Sequence, residues 1–247
     1  NIATFEFVSP EGGSNFECQL SPDQNSYSPC NGGTKTYVDV LEGTKTFYVR
    51  ALNNVGTPDP SPAEHTWTID QTPPETSITL EPSTYTNEQN ITWEFTADEN
   101  APFFQCKLLG GDWTFCTSPK TYEFLSEGTH TFQVRAYDEA NNIDSTPATS
   151  TTNVDRSNPE TTITSSPDDP SNETEGSFEV SVNDPPWEDL PGLGAVLYCI
   201  TATPGEECEG SEMTSQGNGS YSSPYSLSEG TWTFRAWAED LAGNIED

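Results

Sequence analysis

The sequence predicts an all-β chain made of three tandem antiparallel β-sandwiches, and three observations predict it. A stretch of alternating apolar and polar residues recurs three times. Pro, Gly and aromatic residues are frequent, at 20 Pro, 18 Gly and 11% aromatics, the mixture of many short strands joined by turns. The 6 cysteines fall two to each copy.

The recurrence fixes the frame. Residues 37–51, YVDVLEGTKTFYVRA, align without a gap on residues 122–136, YEFLSEGTHTFQVRA, and a third copy occupies residues 225–238. Each copy predicts a strand, a tight Glu-Gly turn (Glu42-Gly43, Glu127-Gly128, Glu229-Gly230), then a second alternating strand. Residues 2–8, 91–97 and 178–182 alternate in the same way early in each copy. The first two copies end in strands closing on Asp70 and Asp155, followed by the Pro-rich joins 71–76 and 156–161. The domains expected are therefore 1–70, 71–155 and 156–247.

About seven short strands per copy describe an immunoglobulin-like sandwich. In the second copy, strand A is expected near 77–80, B near 91–97, C near 103–109, E near 121–125, F near 129–137 and G near 149–154. Residue 1 falls at strand B of the first copy and residue 247 just before strand G of the third. A segment of a longer array is the expectation; neighbouring chains supplying the strands are the alternative.

Charge narrows the partners. The 247 residues hold 40 acidic against 8 basic side chains, a net charge of −32, which repels nucleic-acid phosphates and anionic lipid headgroups. No apolar run approaches the roughly 18 residues of a membrane span. The chain opens in strand pattern at Asn1-Ile2-Ala3, so any secretory signal is expected upstream. Three readings of the acidity stay open: solubility at high salt, as in a halophilic or marine microbe; carboxylates for Ca²⁺; or ordinary solvation.

Cysteine spacing pairs Cys18 with Cys30, Cys106 with Cys116 and Cys199 with Cys208, each across a hairpin around strand C. With only His65 and His130 present and no tight CxxC, zinc is disfavoured, and disulfides place the chain in an oxidising compartment. Asn90, Asn172 and Asn218 head glycosylation sequons, a pattern also common by chance in a Ser/Thr-rich chain.

The order Cys106, Gly110-Gly111-Asp112-Trp113, Cys116, Ser118-Pro119, then Glu127 to Asp138, then Pro147-Ala148 and Asp155, resembles the tandem Ig-like repeats of very large bacterial and archaeal cell-surface and secreted proteins. The second copy fits almost throughout. The first departs at its opening strand and at Asn53-Asn54-Val55-Gly56; the third departs in its B–C loop yet keeps Asp240-Leu241-Ala242-Gly243-Asn244. The resemblance implies surface display, spacing and adhesion, and names no ligand.

Chemistry has few places to sit. The sequence holds no GxSxG, HExxH or phosphate-binding Gly loop, and both histidines fall on expected strands as exposed residues. Trp113 and Trp232 read as packing on sheet faces. Topology brings Asp70, Asp98, Glu99, Asn100, Asp138, Asn142 and Asp144 toward the first join, with Glu42 facing them. The second join gathers Asp155, Asp184, Glu188, Asp189, Asp240 and Asn244, with Glu127 opposite. Converging hard oxygens are what Ca²⁺ requires, so Ca²⁺ at the inter-domain junctions is the cofactor expectation and solvated loop carboxylates the alternative. The long B–C loop of the third copy carries Trp187 and Leu193, a candidate contact surface or a packing element.

The function expected is a non-catalytic extracellular structural or adhesive segment. Its partners would be neighbouring copies, surface proteins or glycans, with no nucleic acid and no membrane insertion. The alternatives are a recognition module acting through that loop, an accessory segment of a secreted enzyme, or a viral fibre.

Overall fold

The computed structural model describes residues 2–10, 15–98, 103–169, 172–184, 193–202, 210–217 and 219–246. Every named element among them is a β-strand. The chain forms two compact units.

The first unit takes in Asn1–Glu75 together with Asp98–Phe103 and Ala136–Ser145. Its strands are β1 (Ile2–Glu6), β2 (Asn15–Ser21), β3 (Ser28–Pro29), β4 (Thr34–Val38), β5 (Gly43–Leu52) and β6 (Ala63–Ile69). β1 pairs with β4 in one sheet, and β3-β2-β5-β6 form the other. Strict alternation along β5 turns Lys45, Phe47 and Val49 inward. The inward lysine is 3% exposed, and Asp23 answers its charge at 2.7 Å.

The second unit comprises Thr76–Ala97, Phe104–Arg135 and Thr146–Asp247. Its earlier strands are β7 (Thr76–Leu80), β8 (Tyr85–Thr86), β9 (Asn90–Ala97), β10 (Phe103–Leu108), β11 (Thr114–Cys116), β12 (Lys120–Glu123), β13 (Gly128–Tyr137) and β14 (Ala148–Val154). They form the sheets β12-β9-β7 and β11-β10-β13-β14-β8. Its later strands are β15 (Glu160–Ser165), β16 (Glu175–Asn183), β17 (Leu193–Thr201), β18 (Ser211–Glu212), β19 (Thr214–Gly217), β20 (Ser220–Ser226) and β21 (Thr233–Asp240). These make the sheets β15-β16-β20-β19 and β18-β17-β21. A strand order of A, B, E in one sheet and C, F in the other is the immunoglobulin-like arrangement.

Two features go beyond the sequence reading. The tight Glu-Gly turn carries the chain from one sheet to the other: β12 pairs with β9, whereas β13 pairs with β14. That crossing puts Gly43 and Gly128 at φ 108° and 123°, a region where a Cβ is strained. Strand A is also split. β7 pairs with β9, and after Pro82 the chain crosses to the opposite sheet, where β8 runs parallel to β14.

One contact recurs in every core. An aromatic residue of strand B stacks on the phenylalanine of strand F: Phe5 on Phe47 at 4.0 Å, Trp93 on Phe132 at 4.8 Å and Phe178 on Phe234 at 3.9 Å. Around Trp93, the residues Ile91, Phe95, Cys106, Phe132, Val134 and Val154 are all buried. Stacked rings contribute about 0.5–1.5 kcal/mol beyond the area they bury.

The disulfides Cys18–Cys30 and Cys106–Cys116 are formed, each across the hairpin around strand C. Cys199 is also disulfide-bonded, while its expected partner Cys208 lies outside the described residues. These bonds require an oxidising compartment. No helix among the described residues is long and apolar enough to cross a membrane.

Candidate metal centre

The loop between strands F and G is built the same way in each copy. Its first side-chain oxygen accepts the amide proton four residues on: Asn53 from Thr57 at 2.9 Å, Asp138 from Asn142 at 2.8 Å and Asp240 from Asn244 at 2.8 Å. The residue just before the last of these is left-handed: Gly56 at φ 78°, Asn141 at 66° and Gly243 at 87°. Gly and Asn reach that region at least cost, which explains their recurrence at this position.

In the second and third copies the loop also grips the preceding join. Within the first unit, the Asn142 side-chain amide donates to the Asp70 carbonyl at 3.1 Å and to Asp138 Oδ2 at 2.8 Å. Within the second, Asn244 donates to the Asp155 carbonyl at 3.0 Å and to Asp240 Oδ2 at 2.6 Å. Asp155 Oδ1 accepts from Ser157 N at 3.0 Å. Glu127, exposed, accepts from Arg156 N and from Ser157 Oγ; Glu42, also exposed, accepts from Thr72 Oγ1. Both glutamates cap the turns of the joins.

The structure brings together Asp155, Asp184 and Asp240, each offering a carboxylate oxygen within 4.8 Å of the others. They are 4%, 9% and 4% exposed, and Asn244 beside them is 7% exposed. Among the described residues neither carboxylate oxygen of Asp184 has a hydrogen-bond partner. Burial, reinforced by the charges of Asp155 and Asp240, pushes the Asp184 carboxyl up to about 6. Asp155 is raised as well, first by burial and then by the charges of Asp240 and Glu127, against the Ser157 hydrogen bond.

Among the described residues the other expected ligands form no such group. Asp138 and Asp144 are buried, Asp70 is half-buried and Asp98 is exposed. Asp98 Oδ1 is taken by the Glu75 amide at 2.9 Å. Burial opposes ionisation of Asp138, but hydrogen bonds from the Asn142 side chain and from the amides of Asn142, Ala140 and Asn141 outweigh it and hold its carboxyl low. One position along strand B separates Asp98 from Asp184, the pairing register being the same in both copies (Thr76 with Ala97, Thr161 with Val182). The β15–β16 ladder runs on to pair Glu160 with Asn183. Asp98 therefore matches the exposed Asn183, and Asp184 is the next, inward-facing residue. By the same register Glu99 matches Asp184, and it lies outside the described residues together with Asn100, Glu188 and Asp189.

Trp187 and Asn218 also lie outside the described residues. Leu193, expected on an exposed loop, instead opens β17 and packs against the Val180–Val196–Met213–Ala238 core, because the strand begins earlier than the flanking Gly192 and Gly194 suggest. Asn90 and Asn172 are exposed. His65 is exposed and stacks on Trp67, but His130 is half-buried, its Nε2 2.7 Å from the Ser126 carbonyl. Trp232 occupies the matching place in the third copy and donates to Ser228 O at 3.0 Å. Trp113 lies under Lys107 and Arg135. Sequence reasoning overlooked Glu246, whose Oε1 accepts from Thr161 N at 2.8 Å; its alignment with Asp144 in the F–G loop was the available signal.

No protein-family model matches this sequence, and no curated protein does. Solved structures similar to it include domains A168–A170 of titin (14% identity, all of this chain and 85% of that one, TM-score 0.41). Others are a tetra-tandem repeat in the extending region of a large adhesion protein (14%, 99% and 67%, TM-score 0.32) and the fibronectin(III)-like modules of Clostridium thermocellum CbhA (18%, 62% and 85%, TM-score 0.32). Similarity this low transfers no function. On its own strand order the chain is an all-β array of immunoglobulin-like sandwiches.

Proposed function

We propose that the chain is a non-catalytic extracellular segment whose repeats, 1–70, 71–155 and 156–247, serve spacing and adhesion within a larger surface protein. The observation that carries this reading is the buried lock at the second join, where Asn244 holds the Asp155 carbonyl and Asp240 together. A free linker has no use for a buried amide clamp on its backbone. Arg156 is held too, donating to the Leu125 and Glu88 carbonyls at 2.8 and 2.7 Å. Disulfides support an extracellular setting. The non-catalytic reading rests on the engagement of His65 with an aromatic ring and of His130 with a turn carbonyl.

The net charge of −32 argues against nucleic acid as a partner; neighbouring copies, surface proteins or glycans are the partners that a spacing and adhesion role calls for. The join carboxylates are read as ligands for a divalent cation, and an all-oxygen set suits Ca²⁺.

Limited trypsin digestion of the native chain tests the spacing role. Arg156 should resist cleavage while the fold persists. Rapid cutting at Arg156 in the otherwise intact protein would rule out a structured join and with it this function.

A further inference from the structure

We propose that Asp155, Asp184 and Asp240 form a Ca²⁺ seat in which Asp184 is the residue dedicated to the ion. The inference rests on the cation reading of the joins given above and assigns it to particular residues. Asp155 and Asp240 are already engaged: Ser157 N donates to the first, and the amide and side chain of Asn244 donate to the second. Asp184 is about nine-tenths buried, and neither of its oxygens meets a donor among the described residues. Its isolation has a cause in the ladder. Glu160 faces Asn183, so the position facing Asp184 belongs to Pro159, which has no N–H to give. At Asp98 the facing residue is Glu75, whose amide does bond the carboxylate.

A buried carboxylate left without a donor is strongly unfavourable unless something compensates its charge. Among the described residues no Lys, Arg or His ion-pairs with any of the three aspartates. Oxygens within 4.8 Å of one another fit a sphere of the 2.3–2.6 Å radius typical of Ca²⁺. The three residues follow β14, follow β16 and end β21, so a shared ion would join the exit of one sandwich to two strand ends of the next. The absence of His and Cys from the set disfavours zinc.

Calorimetry and thermal melting of the full chain with CaCl₂, after chelation, test the seat. The wild-type chain should bind Ca²⁺ more tightly than Mg²⁺ and melt several degrees higher when loaded. Asp184→Asn should weaken binding at least tenfold and abolish the gain, yet melt no lower than the wild type in chelator, because it removes an unpartnered charge. Asp98→Asn should keep the full gain. A wild-type chain with neither heat nor gain overturns the cation reading of the joins altogether. An Asp184→Asn chain that keeps the gain, or melts lower in chelator, overturns only the assignment to this seat.

Discussion

The side-chain amide of Asn244 donates to the backbone carbonyl of Asp155 at 3.0 Å, across 89 residues of sequence. The same amide reaches Asp240 Oδ2 at 2.6 Å. Asn244→Ala removes both donations and leaves a buried carbonyl and a buried carboxylate oxygen short of a partner. The expected loss is about 2–3 kcal/mol in urea unfolding. Asn142→Ala makes the matching change where the asparagine is half-buried and water can replace it, so about 1 kcal/mol is expected. Equal losses for the two variants would show that burial at the second join adds nothing.

Stability should depend on pH through Asp184 when cations are chelated. Its folded carboxyl is raised to about 6 from an ordinary value of 3.8. Between those values the folded chain holds the proton more tightly than the unfolded chain, so the group's contribution is fully present below about pH 4 and is lost as pH rises toward 6. Subtracting the Asp184→Asn melting curve from the wild-type curve isolates this group from the many other carboxylates. The difference should fall across that window and stay flat above it. A difference that rises with pH would mean that Asp184 is stabilised as the anion.

Trp93 is 0% exposed, stacks on Phe132 and donates its indole N–H to Ser150 Oγ at 3.1 Å. Trp93→Ala should cost about 3–5 kcal/mol, the range for deleting a large core aromatic. Trp93→Phe keeps a ring in the stack but leaves Ser150, itself 5% exposed, without its indole donor. A cost of about 1–2 kcal/mol is expected there. Adding Ser150→Ala to Trp93→Phe should recover part of that loss, and chemical denaturation of Trp93→Phe, Ser150→Ala and the double variant beside the wild type reads the cycle.

How much of this was legible in the sequence follows from what periodicity encodes. Alternation gives the face of each residue, so Phe47, Phe132 and Phe234 could be placed inside from the repeat alone, and the strand ranges of the second copy hold to within a few residues. Alternation does not say which sheet a strand joins. The crossing at Gly128 and the parallel pairing of β8 with β14 were therefore hidden, since both depend on contacts across the sandwich. The candidate site failed in the same way at one position. Asp98 and Asp184 each follow strand B and look alike in sequence, but in the same register they stand one position apart, which sends the first outward and the second inward. Asp155, Asp240 and Asn244 were legible because short joins and a recurrent F–G turn leave their backbone little choice.

The hairpin disulfides offer a last measurement on the balance between cross-links and core. Cys106 and Cys116 are 10 residues apart and Cys18 and Cys30 are 12 apart, so loop closure alone predicts similar stabilisation, about 2–3 kcal/mol each. The surroundings differ. Cys106 packs beside Trp93, Phe95 and Phe132 in the most completely buried core, whereas Cys18 and Cys30 make up half of the buried residues in theirs, with Phe47 and Val49. Removing Cys18–Cys30 as a Ser pair places two hydroxyls in that smaller core and should cost more than the same change at Cys106–Cys116. Unfolding of the two double variants, each followed by the fluorescence of a tryptophan in its own sandwich (Trp67 or Trp93), checks the order. If the Cys106–Cys116 variant is the less stable, cross-linking matters most where the core is already full, and the small first core is held by its aromatic stack instead.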